Sequence, residues 1–221
     1  MPFPPAWTRP LAIAALAVAT GACASARGTG ARAAASPGRG GEPRPAADQP
    51  LPALATVARR GPIAESDLGY LRERALMVPV KGVSASRIPD SFDDPRGGRR
   101  HNAVDILAPR GTPVLAADDG RVYRLRRNAA GGITVYAVDP EERFVYYYAH
   151  LDRYRDGLKE GMRLAKGEVI GYVGTTGNAP RDTPHLHFQV MRLTAAGRYW
   201  DGVPVDPKPF FAVDGGGRAG K

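Results

Sequence analysis

From Met77 onward the chain is written in short apolar runs broken at Gly, Pro and Asp, the texture of strands and turns rather than of helices. Runs at 113–117, 120–127, 132–138, 143–150, 168–173 and 185–192 are each expected to form a strand. Asp119-Gly120 and Gly131-Gly132 are turn signals, and Asp139-Pro140 separates two strongly β-prone stretches, Ile133–Val138 and Phe144–Tyr148. Antiparallel pairing is the expectation. Ahead of this region the period changes. The segment 63–76 reads as a short helix, regular over about 66–76, with Leu68, Leu71, Ala75 and Leu76 on one face and Ser66 placed to cap it.

The N-terminal part has neither period. Arg9 precedes the apolar run Leu11–Ala22, which is too short to span a bilayer as a helix and has the length of a signal-peptide core. The run ends Ala19-Thr20-Gly21-Ala22-Cys23, and small residues directly before a cysteine resemble a bacterial lipobox. Residues 1–22 are therefore expected to be a lipoprotein signal peptide, with Cys23 the lipidated residue. The alternative is an ordinary secretory signal, cut near Ala22 or Ala24, with Cys23 incidental. Ala24–Pro50 is Ala, Gly, Arg and Pro with hardly a bulky apolar side chain, so 23–62 reads as a flexible tether. At about 5–6 Å times the square root of its length, it would reach roughly 35 Å on average. The expected placement is exported, in the cell envelope and lipid-anchored; Ala24 in place of Asp resembles sorting to the outer membrane, facing the periplasm. Residues 214–221 read as a disordered tail.

Composition adds two constraints. The chain has 221 residues, enough for one ordinary domain with tails, and its 27 Gly and 21 Pro exceed what a compact domain uses. A net charge of +9 fits nucleic acid, an anionic membrane or an acidic polymer equally. No aromatic-studded basic stripe accompanies it, so nucleic acid is not an expected partner.

All four histidines fall in the β-rich region 77–213. His185 and His187 are two apart in His185-Leu186-His187-Phe188-Gln189-Val190, so in a strand both imidazoles project from one face, while Leu186 and Phe188 face the core. Such a pair suits neutral rings, one a metal ligand and one a base. His101 and Asp105 form an HxxxD pair able to offer nitrogen and oxygen to Zn²⁺, although this spacing also arises on any helix face. Val104–Ala108 alternates and would direct Asp105 to one side. His150 ends the aromatic run Tyr146–Ala149, where taken alone it reads as a strand-end histidine satisfied by backbone. Cys23 is the one cysteine, which excludes an internal disulfide and a thiolate metal site.

Taken in order, His101-Asn102-Ala103-Val104-Asp105, Tyr148-Ala149-His150-Leu151 and His185-Leu186-His187-Phe188 resemble the lysostaphin/LytM-type zinc metallopeptidase family over about residues 77–212. Ala108–Val114, Gly120-Arg121-Val122 and Gly171–Gly177 are similar as well. The resemblance implies one Zn²⁺ held by His101, Asp105 and His187, with His185 as general base and His150 as the donor that steadies the oxyanion. It also implies an all-β fold of the duplicated hybrid motif type, an antiparallel open barrel or groove, and hydrolysis of peptide cross-links in peptidoglycan stem peptides. Tyr148, Asn178 and Arg181 are groove-wall candidates by position. Two departures stand out: Ala103 replaces the family's usual Gly, and the Asn178–Pro184 loop is longer than the short connection of many relatives. The competing classes are a non-catalytic adaptor of the same fold that activates a cell-wall amidase, and an inactive wall-binding lipoprotein. The retained His and Asp set argues against both. No regulatory protein partner is legible.

Overall fold

The computed structural model describes residues 62–194 and 198–212. The signal segment 1–22, Cys23, the tether as far as Gly61 and the tail 214–221 lie outside the described residues. One α-helix, α1 (Glu65–Arg74), precedes the strands β1 (Pro95–Arg96), β2 (Arg99–Arg100), β3 (Val104–Leu107), β4 (Pro113–Leu115) and β5 (Gly120–Asn128). After these come β6 (Gly132–Val138), β7 (Phe144–Tyr154), β8 (Arg163–Leu164), β9 (Val169–Val173), β10 (His185–Arg192) and β11 (Val203–Val205). Every strand pair is antiparallel. The main sheet runs β11-β10-β7-β6-β5-β8 and stays open rather than closing into a barrel. β10 pairs β7 along one edge; its other edge takes β3 over its first half and β11 over its second. β1 and β2 form a hairpin of their own.

Alternation sets the layers. Leu186, Phe188 and Val190 of β10 are fully buried with Phe144, Tyr146 and Tyr148 of β7, while Val145, Tyr147 and Met191 join a smaller aromatic cluster on the opposite face. β7 does not stop at His150 as expected. Its far half continues to Tyr154 because Leu151, Arg153 and Tyr154 find a new partner in β9. β1, β2, β8 and β11 were not expected, since two or three residues carry no readable period, and β3, an alternating stretch, was not among the expected strands.

The helix also differs in its ends. Ser66 does not cap it: the cap position is Ala64, whose carbonyl accepts from the N–H groups of Asp67 at 2.9 Å and Leu68 at 3.2 Å. Glu65 and Asp67 in the first turn and Arg72 and Arg74 in the last suit the helix dipole. Ala75 adopts φ 44° and ends the helix, which turns Leu76 into backbone hydrogen bonds of 2.7 Å with Phe210 and Ala212. α1 is joined to the sheet by polar as well as apolar contacts. Leu71 and Leu76 are fully buried, Arg74 grips both oxygens of Asp118 at 2.7 Å, and Tyr70 donates to Asp139. Asp67 accepts from Arg143 at 2.7 Å and pairs with Arg192 at 3.5 Å.

Candidate metal centre

Residues directly opposite in an antiparallel pair share a face, so β10 sets His187 beside Asp105 of β3 and beside Ala149 of β7. His101 arrives from the short link between β2 and β3. Its N–H donates to Asp94 O at 2.9 Å and that of Asn102 to Phe92 O at 2.8 Å, and Asn102 takes φ 57°, which turns the chain sharply into β3. Ala103, where the family's usual residue is Gly, is buried and not left-handed, so its methyl group meets no backbone strain.

The result is a triangle of donor atoms. His101 Nε2 lies 3.1 Å from Asp105 Oδ1 and 3.1 Å from His187 Nδ1, and the last two are 3.0 Å apart. His101 Nδ1–H donates to Ser91 O at 2.8 Å, leaving Nε2 as the lone-pair nitrogen of the neutral ring. Lone pairs of imidazole and carboxylate converge like this only around a proton or a cation. Burial alone would lower His101, but the hydrogen bonds to Asp105 and Ser91 outweigh it and raise its pKa. Burial alone would likewise raise Asp105, yet the hydrogen bonds and charges of His101 and His187 hold its carboxyl well below the usual range. Burial pushes His187 down. A proton and a divalent cation would compete for these same lone pairs. Four-coordinate zinc with bonds of about 2.0–2.1 Å needs donors roughly 3.3–3.4 Å apart, so the triangle fits after opening by about 0.3 Å. Among the described residues this is the one His/Asp group able to hold a metal.

Two more imidazoles complete the site. The His150 and His185 rings are 5.0 Å apart, and His150 is 5.7 Å from His187. His150 Nδ1 bonds Thr176 O and His185 Nδ1 bonds Thr183 O, each at 2.8 Å, so Nε2 of each ring is the nitrogen left to exchange a proton. Burial pushes the His150 pKa down to about 4, and the neighbouring imidazoles add to the effect. His150 owes its direction to a β-bulge. Plain alternation would put it on the core face with Tyr146 and Tyr148, but the register with β6 slips between Tyr148 and Leu151, and His150 takes φ 61°. Gly132 and Gly177, at φ 67° and 78°, let the 174–178 loop close on the bulge; a Cβ on Gly177 would lie 2.3 Å from Ala130 O.

These side chains line a cleft of about 470 Å³, bounded also by Tyr147, Asn178 and Gln189. Of the wall candidates only Asn178 lies there. Tyr148 is fully buried, its ring 5.2 Å from Phe188 and its hydroxyl accepting from Ala117 N, so it is a core residue; the neighbouring Tyr147 takes the wall position. Arg181 is exposed and does not line the cleft. Sequence reasoning also missed Arg96, Arg99 and Arg100 on the rim, although the Arg-Gly-Gly-Arg-Arg run directly before His101 is a readable hairpin signal.

An open antiparallel sheet that presents a His/Asp/His triangle and two further imidazoles to one cleft is an arrangement able to hold a metal ion, and comparison with known proteins supplies the family. Residues 99–207 match the model of peptidase family M23, and this stretch of the chain is an M23 domain. The L-Ala--D-Glu endopeptidase of Bacillus subtilis is 35% identical over 134 residues, covering 57% of this chain and 39% of that protein. The glycyl-glycine endopeptidase ALE-1 of Staphylococcus capitis is 34% identical over 121 residues, covering 54% of this chain and 31% of that protein. The chain thus spans well under half the length of these relatives. Lysostaphin of Staphylococcus simulans superposes with a TM-score of 0.50 at 24% identity, over 67% of this chain and 59% of that one, a likeness of fold.

Proposed function

We propose that this protein is a zinc-dependent endopeptidase that hydrolyses peptide cross-links in bacterial peptidoglycan. The observation that carries the reading is the convergence of His101 Nε2, Asp105 Oδ1 and His187 Nδ1 within 3.1 Å of one another in a cleft that also holds His150 and His185. These three residues would hold one Zn²⁺. Bound there, zinc supplies Lewis-acid polarisation of a peptide carbonyl and acidifies water. The rest falls to the chain. His185, its Nδ1–H engaged by Thr183, accepts a proton at Nε2 as general base. His150, its Nδ1–H engaged by Thr176 and its pKa pushed down to about 4, presents a bare Nε2 at neutral pH and steadies the developing oxyanion once that nitrogen has taken up a proton in the reaction. An extended peptide suits an open antiparallel groove. The naming of both curated relatives as endopeptidases supports the substrate class.

Incubating the purified protein with cross-linked peptidoglycan and identifying the fragments by mass spectrometry tests this reading. Fragments with newly freed peptide termini are expected, and a chelator should abolish them until zinc is restored. A protein that holds zinc, cuts nothing and accelerates a cell-wall amidase would instead be the adaptor.

The lipobox-like run before Cys23 supports a lipid anchor at a membrane, with the outer membrane facing the periplasm as its place. Metabolic labelling with a tagged fatty acid is expected to mark the protein and to fail on Cys23→Ser. An unlabelled wild type whose mature N-terminus lies elsewhere would refute the anchor.

A further inference from the structure

Arg96 and Arg99 stand directly opposite each other across the β1–β2 hairpin. The turn between them is Gly97-Gly98, with φ 55° and 86°, the paired left-handed conformation of a two-residue type I′ connection. Directly opposite residues project from one face, so both guanidinium groups go to the same side of the hairpin. Arg96 identifies that side: it donates to Asp105 Oδ2 at 2.7 Å, on the oxygen turned away from the two imidazoles. Arg99 lines the same cleft.

Like charges set directly opposite repel, and the fold relieves only one of this pair. Arg96 is neutralised by Asp105, whereas the Arg99 side chain makes no hydrogen bond or ion pair among the described residues. Arg100, also on the rim, pairs with Asp93, but both side chains are about 70% exposed and such a pair holds its partner weakly. The cleft lining contains one carboxylate, Asp105, and both its oxygens are already engaged. The rim therefore carries positive charge that the fold does not use, at the mouth of the cleft and beside the candidate metal centre. A guanidinium left in this way matches a carboxylate through two parallel hydrogen bonds.

We propose that Arg99, with Arg100 beside it, is the specificity element by which the cleft selects acidic peptides, those carrying a free carboxylate close to the scissile bond. The proposal rests on the peptidase reading for the ligand being a peptide. Family membership does not make this choice, because one relative is named for a link to D-Glu and the other for a link between uncharged glycines.

The test uses the whole protein and two muropeptide preparations that differ only in whether their free carboxyl groups are ionised or converted to primary amides. For the wild type, kcat/KM is expected to favour the free-carboxyl form on the order of tenfold, carried mainly by KM and shrinking as salt is raised. Arg99→Gln should bring the ratio close to one, and Arg99→Lys, which keeps the charge, should restore part of it. Zinc content measured beside each rate shows that the site itself is intact. A wild type without preference, or an Arg99→Gln variant that keeps the full preference, overturns the proposal. If the wild type cleaves neither preparation, it is the peptidase reading that falls; its affinities for the two uncut preparations, with and without Arg99, then decide the arginine's role separately.

Discussion

Replacing His187 by Ala is expected to empty the metal site and abolish peptidoglycan hydrolysis together. The substitution removes one of three donors that lie 3.0–3.1 Å apart, and two protein atoms do not make a stable catalytic zinc site. Affinity should fall by more than the roughly 10–100-fold that follows loss of a residue merely supporting a ligand. His101→Ala and Asp105→Ala should behave alike, the second also leaving Arg96 without its 2.7 Å partner. His185→Ala and His150→Ala should differ in kind. Their Nδ1 atoms hold carbonyls of Thr183 and Thr176, and neither ring belongs to the triangle, so both variants should keep nearly stoichiometric zinc. Loss of a general base or of an oxyanion donor costs on the order of 10²–10⁴ in rate. Elemental analysis of each variant beside its rate on cross-linked muropeptides separates the two groups. Zinc lost from His185→Ala yet kept by His187→Ala would reverse the assignment within the pair.

A chain starting at Met77 is expected not to fold, whereas one starting at Pro62 should melt like the full-length protein and keep its activity on soluble muropeptides. Starting at Met77 removes Leu71 and Leu76, both fully buried, and truncating such residues costs about 2–5 kcal/mol apiece. It also removes Arg74 from Asp118, whose side chain has no exposed surface, and Asp67 from its contacts with Arg143 and Arg192. Breaking a buried ion pair by deleting one partner costs about 3–5 kcal/mol. Even with partial relaxation, these losses rival the whole stability of a domain, about 5–15 kcal/mol. Circular dichroism melts of the two truncated chains decide the matter. Equal, cooperative transitions would show α1 to be an appendage.

That role for α1 was only half visible in the chain. Its apolar spacing announced a helix, but Asp67, Tyr70 and Arg74 look in sequence like ordinary solvent-facing polar residues; their partners Arg143, Asp139 and Asp118 are far along the chain. Ser66 misled for a related reason: a good capping residue inside the first turn cannot be told from one at its start until the chain's entry into the helix is known.

The strands with a clear period were legible because burial of one face imposes alternation locally: 132–138 and 185–192 emerge with the expected bounds, and His185 and His187 share the cleft face while Leu186 and Phe188 fill the core. The ordered set of His and Asp motifs likewise carries the family in the sequence itself. What alternation could not supply was every point at which the chain breaks it. The β-bulge that turns His150 into the cleft, the positive φ at Asn102 that aims His101, the exchange of Tyr148 for Tyr147 at the wall and the pairing that sets Arg96 on Asp105 all depend on register with another strand or on a loop closing from elsewhere. A side chain's facing within one strand is a local matter of the pleat, and the sequence determines it; which strand lies alongside, and where the ladder slips, is decided by long-range packing, and only the tertiary structure contains that.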